Sequence, residues 1–333
     1  MISISGFIIC AIIIFFAGKK LSFYGDIIAE LTGWGKAWVG LILMASVTSL
    51  PELIVGVSSS AIIQSADLAV GDILGSCSFN LGILALMDAF VPKHKPIFGV
   101  ASQSHVMAAS MGIILIAMAG IGLFLPNDIV ITPGLGLISI SFIAIYFVSI
   151  RLLYKFELNR KPELVSTHEK ETGKEITLKK AIMLYSVFAG ITIIAALFLP
   201  HFAEQIAEQT GLGKTFVGTL FLAASTSLPE IAVSFSAVRM GSIDISVGNL
   251  LGSNIFNIFI LALDDVWYTK GHLLKDASEA HLSSVLFNIL MLAIAIIGLT
   301  YHSQSKRYLM AWDAVLIFAA YILNMIILYR LTV

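Results

Sequence analysis

Apolar stretches about as long as a membrane span follow one another along almost the whole chain, and they restrict its fold more than any other feature. Ten such stretches lie near residues 2–18, 37–63, 67–91, 101–125, 129–153, 181–200, 215–238, 244–267, 282–300 and 309–329. A helix needs about 20 apolar residues to cross a bilayer. Because 58% of the residues are hydrophobic, only 12% are charged and the mean hydropathy is +0.95, a soluble protein is nearly excluded. The sequence predicts an all-α membrane protein with ten transmembrane helices.

The charged residues exclude one class of partner and predict an orientation. The chain has 20 Lys and Arg against 21 Asp and Glu, so it has no basic surplus with which to bind nucleic acid. Basic residues near helix ends are retained in the cytoplasm. With the N-terminus outside, 16 of the 20 basic residues fall in inner loops and 4 in outer loops. We expect a multi-pass protein of the plasma (inner) membrane with both termini extracellular and the polar segment 154–180 as a cytoplasmic linker.

An internal repeat relates the halves on either side of that linker, residues 1–153 and 181–333. Residues 32–52 align without gaps to residues 210–230 with 12 of 21 positions identical, and residues 67–80 align to residues 244–257 with 8 of 14 identical. The copies occupy about residues 32–91 and 210–267. An odd number of helices, five, separates them, so the second copy enters the membrane from the opposite side. The expected architecture is therefore two inverted five-helix repeats.

The residues shared by the copies point to a binding site. Inverted copies of a helix pair interrupted by Gly and Pro are typical of secondary transporters, which bind their substrate at the repeat interface. A duplication that served only to build a stable bundle would share apolar packing residues. These copies instead share Thr-Ser-Leu-Pro-Glu, Gly-Ser and Asn, groups that are costly to bury in lipid.

The two Thr-Ser-Leu-Pro-Glu segments supply carboxylates and carbonyl oxygens. Pro51 and Pro229, taken as lying inside helices, would leave carbonyls of the preceding turn without a hydrogen-bond donor. Glu52 and Glu230 lie deep in apolar helices that contain no internal Lys or Arg, so their negative charge needs a cation. The alternative is a structural, protonated glutamate, which the repetition of the whole motif disfavours.

The second block adds neutral oxygen ligands. Ser76 and Asn80 are four residues apart and share a helix face, and so do Ser253 and Asn257. Carboxylate, amide, hydroxyl and carbonyl oxygens together suit hard ions such as Ca²⁺, Na⁺ or Mg²⁺ and argue against Zn²⁺ or Cu²⁺.

The paired blocks resemble the α-repeats of the cation/Ca²⁺ exchanger superfamily, most closely its prokaryotic Na⁺/Ca²⁺ exchangers, over nearly the whole chain. The resemblance implies an antiporter that exchanges Na⁺ for Ca²⁺ by alternating access and normally extrudes Ca²⁺. We expect it to function as a monomer. A membrane enzyme is disfavoured because the sequence has no nucleophile–base pair and no H-E-x-x-H zinc motif. The resemblance implies no prosthetic group, the transported ions being Ca²⁺ and Na⁺, with H⁺ as an alternative to Na⁺. The ion-facing residues that it implies are Ala45, Thr48, Ser49, Glu52, Ser76 and Asn80 in the first copy and Ala223, Thr226, Ser227, Glu230, Ser253 and Asn257 in the second, Ala and Thr acting mostly through backbone carbonyls.

Two positions depart from the family pattern. Many similar exchangers have Asp at the position of Asn257, and with Asn there the two glutamates would leave three bound Na⁺ with one net positive charge. We therefore hypothesise a coupling ratio below three Na⁺ per Ca²⁺, or protons in place of Na⁺. Asp72 stands where the second copy has Asn249. It either restores the missing charge one turn from Ser76 or faces an aqueous vestibule.

Other charged residues receive structural interpretations. Asp67 and Asp244 open predicted helices and are expected to cap them. Asp88, Asp264 and Asp265 are expected to be interfacial charges at helix ends. For His105, a packed, hydrogen-bonded side chain is favoured over a proton relay.

Two other functions compete with Na⁺/Ca²⁺ exchange. A Ca²⁺/H⁺ antiporter, or one for another divalent cation, would use the same glutamates, although Thr-Ser-Leu-Pro-Glu favours Na⁺. A cation channel would more often place rings of residues around a symmetric oligomer.

Overall fold

The protein is built almost entirely of helices. The computed structural model describes residues 2–32, 48–92, 94–102, 104–125, 130–132, 135–158, 176–239, 241, 243–302 and 306–332. Its α-helices, in chain order, are α1 (Ile2–Thr32), α2 (Leu50–Val57), α3 (Ala66–Met87), α4 (Ile97–Val100), α5 (Ser104–Phe124), α6 (Leu137–Leu158), α7 (Leu178–Thr210), α8 (Lys214–Val217), α9 (Ala223–Thr226), α10 (Leu228–Arg239), α11 (Ile243–Trp267), α12 (Leu273–Asp276), α13 (His281–Tyr301) and α14 (Trp312–Thr332). Two π-helical turns, Ser58–Ile63 and Gly218–Leu222, and a 3₁₀ turn, Asp88–Phe90, adjoin them. Strands β1 (Val130–Thr132) and β2 (Leu135–Gly136) form a small antiparallel hairpin.

The helices have the lengths that a bilayer requires. Among the described residues, eight helices are long and apolar enough to cross a membrane, and the bent segment Lys214–Thr226 with Leu228–Arg239 would make a ninth. Leu50–Ile63 is a shorter apolar helix. Residues 37–47, the first part of the second predicted span, lie outside the described residues. The described part therefore accounts for eight or nine of the ten predicted spans.

Several predicted boundaries were wrong because hydropathy locates the apolar part of a helix and not its ends. The stretch 129–153 begins with the β-hairpin, and its helix is Leu137–Leu158. The stretch 181–200 lies inside a helix of 33 residues, Leu178–Thr210. Its last turns remain helical because Ala203 and Ala207 are buried there.

Helices α3 and α11 form the centre of the molecule. In their most apolar 18-residue windows, 72% and 78% of the residues are buried, against 22% to 44% for the other six long helices. Helices α5, α13 and α14 pack around this central pair, whereas α1 and α7 pack along each other. The outer helices expose large apolar side chains, such as Phe16, Ile194 and Leu286, as expected of surfaces in contact with lipid.

Glycines allow the central helix α3 to touch backbone directly. A Cβ atom added to Gly75 would lie 2.3 Å from the carbonyl oxygen of Thr219, and one added to Gly71 would lie 3.0 Å from the Thr219 backbone nitrogen. Thr219 belongs to the π-helical turn Gly218–Leu222 of the second copy. The two copies can therefore pack closely here because Gly71 and Gly75 have no side chain.

Candidate functional site

The backbone leaves helical geometry at the second residue, serine, of each repeated Thr-Ser-Leu-Pro-Glu motif. Ser49 has φ −85° and ψ 14°, and Ser227 has φ −81° and ψ 8°. New helices, α2 and α10, begin at the next residue, so Pro51 and Pro229 lie in a first helical turn. The sequence-based interpretation placed these prolines inside continuous helices, and the structure corrects it. A missing N–H is harmless in a first turn, where it would lack a helical acceptor anyway.

Each glutamate is bound by a serine of the other copy. Ser49 Oγ donates to Glu230 Oε1 at 3.1 Å, and Ser227 Oγ donates to Glu52 Oε1 at 3.0 Å. All four side chains are 0% exposed. The two motifs therefore meet in the interior, and the serine of each copy contacts the glutamate of the other.

The two threonines make the same kind of crossed contact. Thr48 Oγ1 lies 3.5 Å from Asn249 Oδ1 and 3.5 Å from Ser253 Oγ, while Thr226 Oγ1 lies 3.0 Å from Asp72 Oδ1 and 3.3 Å from Ser76 Oγ. Asn249 and Asp72 are equivalent positions of the two copies, and so are Ser253 and Ser76. A pseudo-two-fold relation therefore holds at side-chain level.

Asp72 belongs to this buried cluster. It is 0% exposed and accepts a hydrogen bond from Thr226. The structure thus places Asp72 beside the crossed contacts and away from an aqueous vestibule.

The two asparagines have different surroundings. Asn80 Nδ2 donates to Asn254 Oδ1 at 3.0 Å, and Asn254 Nδ2 donates to the carbonyl oxygen of Cys77 at 3.2 Å. Neither polar side-chain atom of Asn257 has a hydrogen-bond partner among the described residues. Asn254 was missed at the sequence level. The available signal was that it occupies the position of Cys77 in the other copy.

Of the two alanines proposed as carbonyl ligands, the structure describes only Ala223. Ala45 lies outside the described residues. Ala223 is buried at the start of α9, and its carbonyl oxygen accepts bonds from Ser227 N at 3.1 Å and Thr226 Oγ1 at 3.3 Å. In this conformation the Ala223 carbonyl is engaged in hydrogen bonds within the last turn before the break at Ser227.

Five buried oxygens of the cluster have no hydrogen-bond donor among the residues that the structure describes. They are Glu52 Oε2, Glu230 Oε2, Asp72 Oδ2, Asn80 Oδ1 and Asn257 Oδ1. Leaving such atoms unpartnered in an apolar interior is unfavourable. Within the same described ranges, no three His, Cys, Asp or Glu side chains converge on one metal position. A cation bound here would therefore also take hydroxyl, amide and carbonyl oxygens, as a hard ion does.

Asp67 and Asp244, expected to cap their own helices, also make contacts across the molecule. Each carboxylate bonds a segment of the other half. Asp67 Oδ1 lies 2.7 Å from Ser278 N and 3.3 Å from His281 Nε2, and Asp244 Oδ1 lies 2.6 Å from Ser102 N and 3.0 Å from His105 Nε2. These serines precede α13 and α5, whose free N–H groups favour negative charge. His105 is a packed side chain, as expected.

Asp88, Asp264 and Asp265 are buried, which corrects their interpretation as interfacial charges. Asp88 accepts bonds from Ile97 N and Ala311 N, both shorter than 3 Å. Asp265 accepts bonds from Leu273 N at 2.8 Å and Ser139 Oγ at 2.6 Å. Asp264 has no partner for either oxygen among the described residues.

Comparisons with known proteins agree with this arrangement. The family model described as sodium/calcium exchanger protein matches residues 2–155 and 179–330. The chain is 26% identical over 288 residues to inner membrane protein YrbG of Escherichia coli, covering 85% of this chain and 86% of YrbG. It is 26% identical over 328 residues to sodium/calcium exchanger MaX1 of Methanosarcina acetivorans, covering 91% of each. A structure of the sodium-calcium exchanger NCX_Mj matches with a TM-score of 0.62 over 97% of both chains at 21% identity, and thus shares the fold.

Proposed function

This chain belongs to the sodium/calcium exchanger family, a family of multi-pass membrane transporters, and we propose that it exchanges Na⁺ for Ca²⁺ by alternating access. Its normal direction would be Ca²⁺ extrusion driven by inward Na⁺. The relative MaX1 carries the name of a sodium/calcium exchanger, which supports the choice of ions. The relative YrbG is named an inner membrane protein, which supports a place in the plasma membrane.

One observation carries the proposal: each motif's carboxylate is bound by a hydroxyl of the other copy. Glu52 with Ser227, and Glu230 with Ser49, join the copies at one buried position. In alternating access, a site between two inverted halves opens to one side and then to the other as the halves move. Ligands drawn from both copies couple that movement to ion binding.

The proposed ion ligands combine charge and neutral oxygens. Glu52, Glu230 and Asp72 would balance the cations, and oxygens of the neutral residues would complete the coordination. Those residues are Ala45, Thr48, Ser49, Ser76 and Asn80 from the first copy and Ala223, Thr226, Ser227, Ser253 and Asn257 from the second. Three carboxylates would neutralise three Na⁺, which removes the charge deficit expected from Asn257 alone.

We propose the matching architecture of ten spans in two inverted halves, residues 1–153 and 181–333, joined by a cytoplasmic linker at 154–180. The crossed Ser–Glu and Thr contacts support the inversion because they relate equivalent residues of the two copies. Since both halves contribute to one site, a single chain would suffice for transport.

The proposal is tested by ⁴⁵Ca²⁺ uptake into Na⁺-loaded proteoliposomes. We expect uptake to require internal Na⁺ and to fall to background in Glu52→Gln and in Glu230→Gln, because each change removes a charged ligand. Asp265→Asn is a matched control, since that buried carboxylate is bound by Leu273 N and Ser139 Oγ.

Other outcomes would change the assignment. Uptake driven by a proton gradient alone would indicate Ca²⁺/H⁺ exchange. Flux that does not saturate and needs no counter-ion would indicate a channel. Uptake that persists in both glutamine variants would refute the proposed ligands.

A further inference from the structure

Asp264 is a fourth buried carboxylate close to the proposed site. It lies on α11, seven residues after Asn257, and Ser253 and Asn249 precede Asn257 on the same helix face. Spacings of four and seven residues keep side chains on one face of a helix. Asp264 therefore continues the polar face of α11 beyond the proposed ligands.

The surroundings of Asp264 leave its charge uncompensated. The side chain is 0% exposed, and neither carboxylate oxygen has a hydrogen-bond partner among the described residues. The ion pairs found in the described ranges do not include it. Asp265, the next residue along the chain, is another buried carboxylate. An ionised carboxylate in such a place requires a cation.

The backbone of α2 leaves room for this carboxylate. A Cβ atom added to Gly56 would lie 2.4 Å from Asp264 Oδ2 and 2.6 Å from Oδ1. Gly56 is one helical turn beyond Glu52, and Ser60 follows after four more residues. The hydroxyl of Ser60 is also buried without a partner among the described residues. Buried polar groups therefore follow one another along this segment: Glu52 on α2, Asp264 beside Gly56, and Ser60 in the π-helical turn after α2.

The position that the repeat relates to this one is neutral. There Ser234 replaces Gly56, and Asn249, which replaces Asp72, donates to Ser234 Oγ at 3.0 Å. Met87 replaces Asp264, and its sulfur accepts a bond from Ser246 Oγ at 3.5 Å. Asp72 and Asp264, one from each copy, therefore place two buried carboxylates where the repeat-related position holds only neutral, hydrogen-bonded side chains.

We propose that Asp264 and Asp72 form a second Ca²⁺-binding position, next to the Glu52–Glu230 site. Two carboxylates neutralise one divalent ion, and both oxygens of Asp264, which have no partner among the described residues, can bind it in a bidentate manner. Asp264 lies near the end of α11, where Thr269 and Lys270 bond Gln64. A Ca²⁺ ion bound there would lie between the end of α11 and the Glu52–Glu230 site, on a path to that site. The idea of a path rests on the proposed exchange function, whereas Ca²⁺ binding at Asp264 and Asp72 does not.

Equilibrium binding of ⁴⁵Ca²⁺ to the purified full-length protein in detergent tests the proposal. We expect wild type to bind Ca²⁺ in two phases and the Glu52→Gln/Glu230→Gln double variant to retain one of them. Adding Asp264→Asn to the double variant should weaken that phase at least about tenfold, because ligand charge sets Ca²⁺ affinity. Asp265→Asn in the same background is the matched control and should weaken the phase much less, because Leu273 N and Ser139 Oγ already bind that carboxylate.

A second variant keeps the test decisive if Asp264→Asn does not fold. Gly56→Ala retains all carboxylates but forces the Asp264 side chain to move, so it should weaken the same phase. The proposal is overturned if the double variant binds no Ca²⁺, if its remaining phase is insensitive to Asp264→Asn or Gly56→Ala, or if only ²²Na⁺ binds there. Failure of the exchange function would appear separately, as loss of Na⁺-dependent uptake with both binding phases intact.

Discussion

At the scale of single residues, crossed hydroxyl–carboxylate contacts are the main feature of the site. Ser49 and Ser227 each bind one oxygen of a glutamate from the opposite copy, and the second oxygen of each glutamate has no partner in the described part of the chain. A hydrogen bond to a charged group contributes about 1.5–3 kcal/mol. Each serine thus orients a carboxylate whose other oxygen is available to an ion.

Removing either serine hydroxyl should weaken Ca²⁺ binding. We expect Ser49→Ala and Ser227→Ala each to raise the Ca²⁺ concentration for half-maximal uptake about tenfold or more, since each loses a charge-assisted hydrogen bond. Ser225→Ala is the control, because Ser225 Oγ bonds the carbonyl oxygen of Phe221 in its own helix turn. Equal effects of Ser225→Ala and Ser227→Ala would contradict the role of the crossed contacts.

Asp72 should determine how many Na⁺ are exchanged for each Ca²⁺. In Asp72→Asn the site loses one of three carboxylates, so we expect fewer Na⁺ per Ca²⁺ and a shifted reversal potential of the exchange current. The charge swap Asp72→Asn/Asn249→Asp should restore the ratio, because the two positions are equivalent in the copies. An unchanged reversal potential in Asp72→Asn would place its charge outside the transport cycle.

At the scale of helices, broken and tightly packed segments position the ligands. The helix break at Ser227 bends the chain by 49° between Lys214–Thr226 and Leu228–Arg239. The π-helical turn Gly218–Leu222 lies just before it and packs on α3. Such turns are frequent at functional sites. The contact brings Thr226 of this segment to Ser76 and Asp72 of α3.

A methyl group at this contact should separate the two segments. Gly75→Ala would place Cβ 2.3 Å from the Thr219 carbonyl oxygen and 2.7 Å from Ala223 Cβ, so we expect a lower apparent Tm from overpacking of about 1–3 kcal/mol. Gly190→Ala in α7 is the matched control, because a Cβ there meets nothing within 4 Å. Thermal unfolding followed by gel filtration measures both variants. An equal Tm for the two would refute the close-contact argument.

At the scale of the whole molecule, two equivalent sets of polar contacts, here called clasps, join residues 1–153 to residues 181–333. The clasp of Asp67 with Ser278 and His281 has a counterpart in the clasp of Asp244 with Ser102 and His105. Each clasp connects a carboxylate of one half to the segment that precedes a long helix of the other half. The pseudo-two-fold relation thus extends from the buried site to the helix ends.

The proposed orientation can be measured by thiol labelling of intact cells. Glu279 and Lys179 are exposed, and they lie on opposite sides in the proposed topology. We expect Glu279→Cys to react with an impermeant maleimide from outside and Lys179→Cys to react only after permeabilisation. The native Cys10 and Cys77 are buried and provide a low background. The reverse labelling pattern would invert the topology.

The sequence alone determined the membrane class, the positions of most helices and the repeated polar motifs. Apolar length and sequence identity between copies are properties of the chain itself, so Glu52, Glu230, Ser76 and Asn80 could be selected without a fold. Helix ends were less predictable: α7 continues past its apolar stretch where Ala203 and Ala207 are buried, and a β-hairpin takes the place of the expected start of α6.

Only the tertiary structure decided which residues meet. Ser49 binds Glu230 across 181 residues of chain, and Asn80 binds Asn254 across 174. Local patterns contain no information on such partners. For the same reason Asp67 and Asp244 were expected to cap their own helices, and Asp264 was taken for an interfacial charge. Its burial against Gly56 depends on how α11 crosses α2, which hydropathy along one helix does not specify.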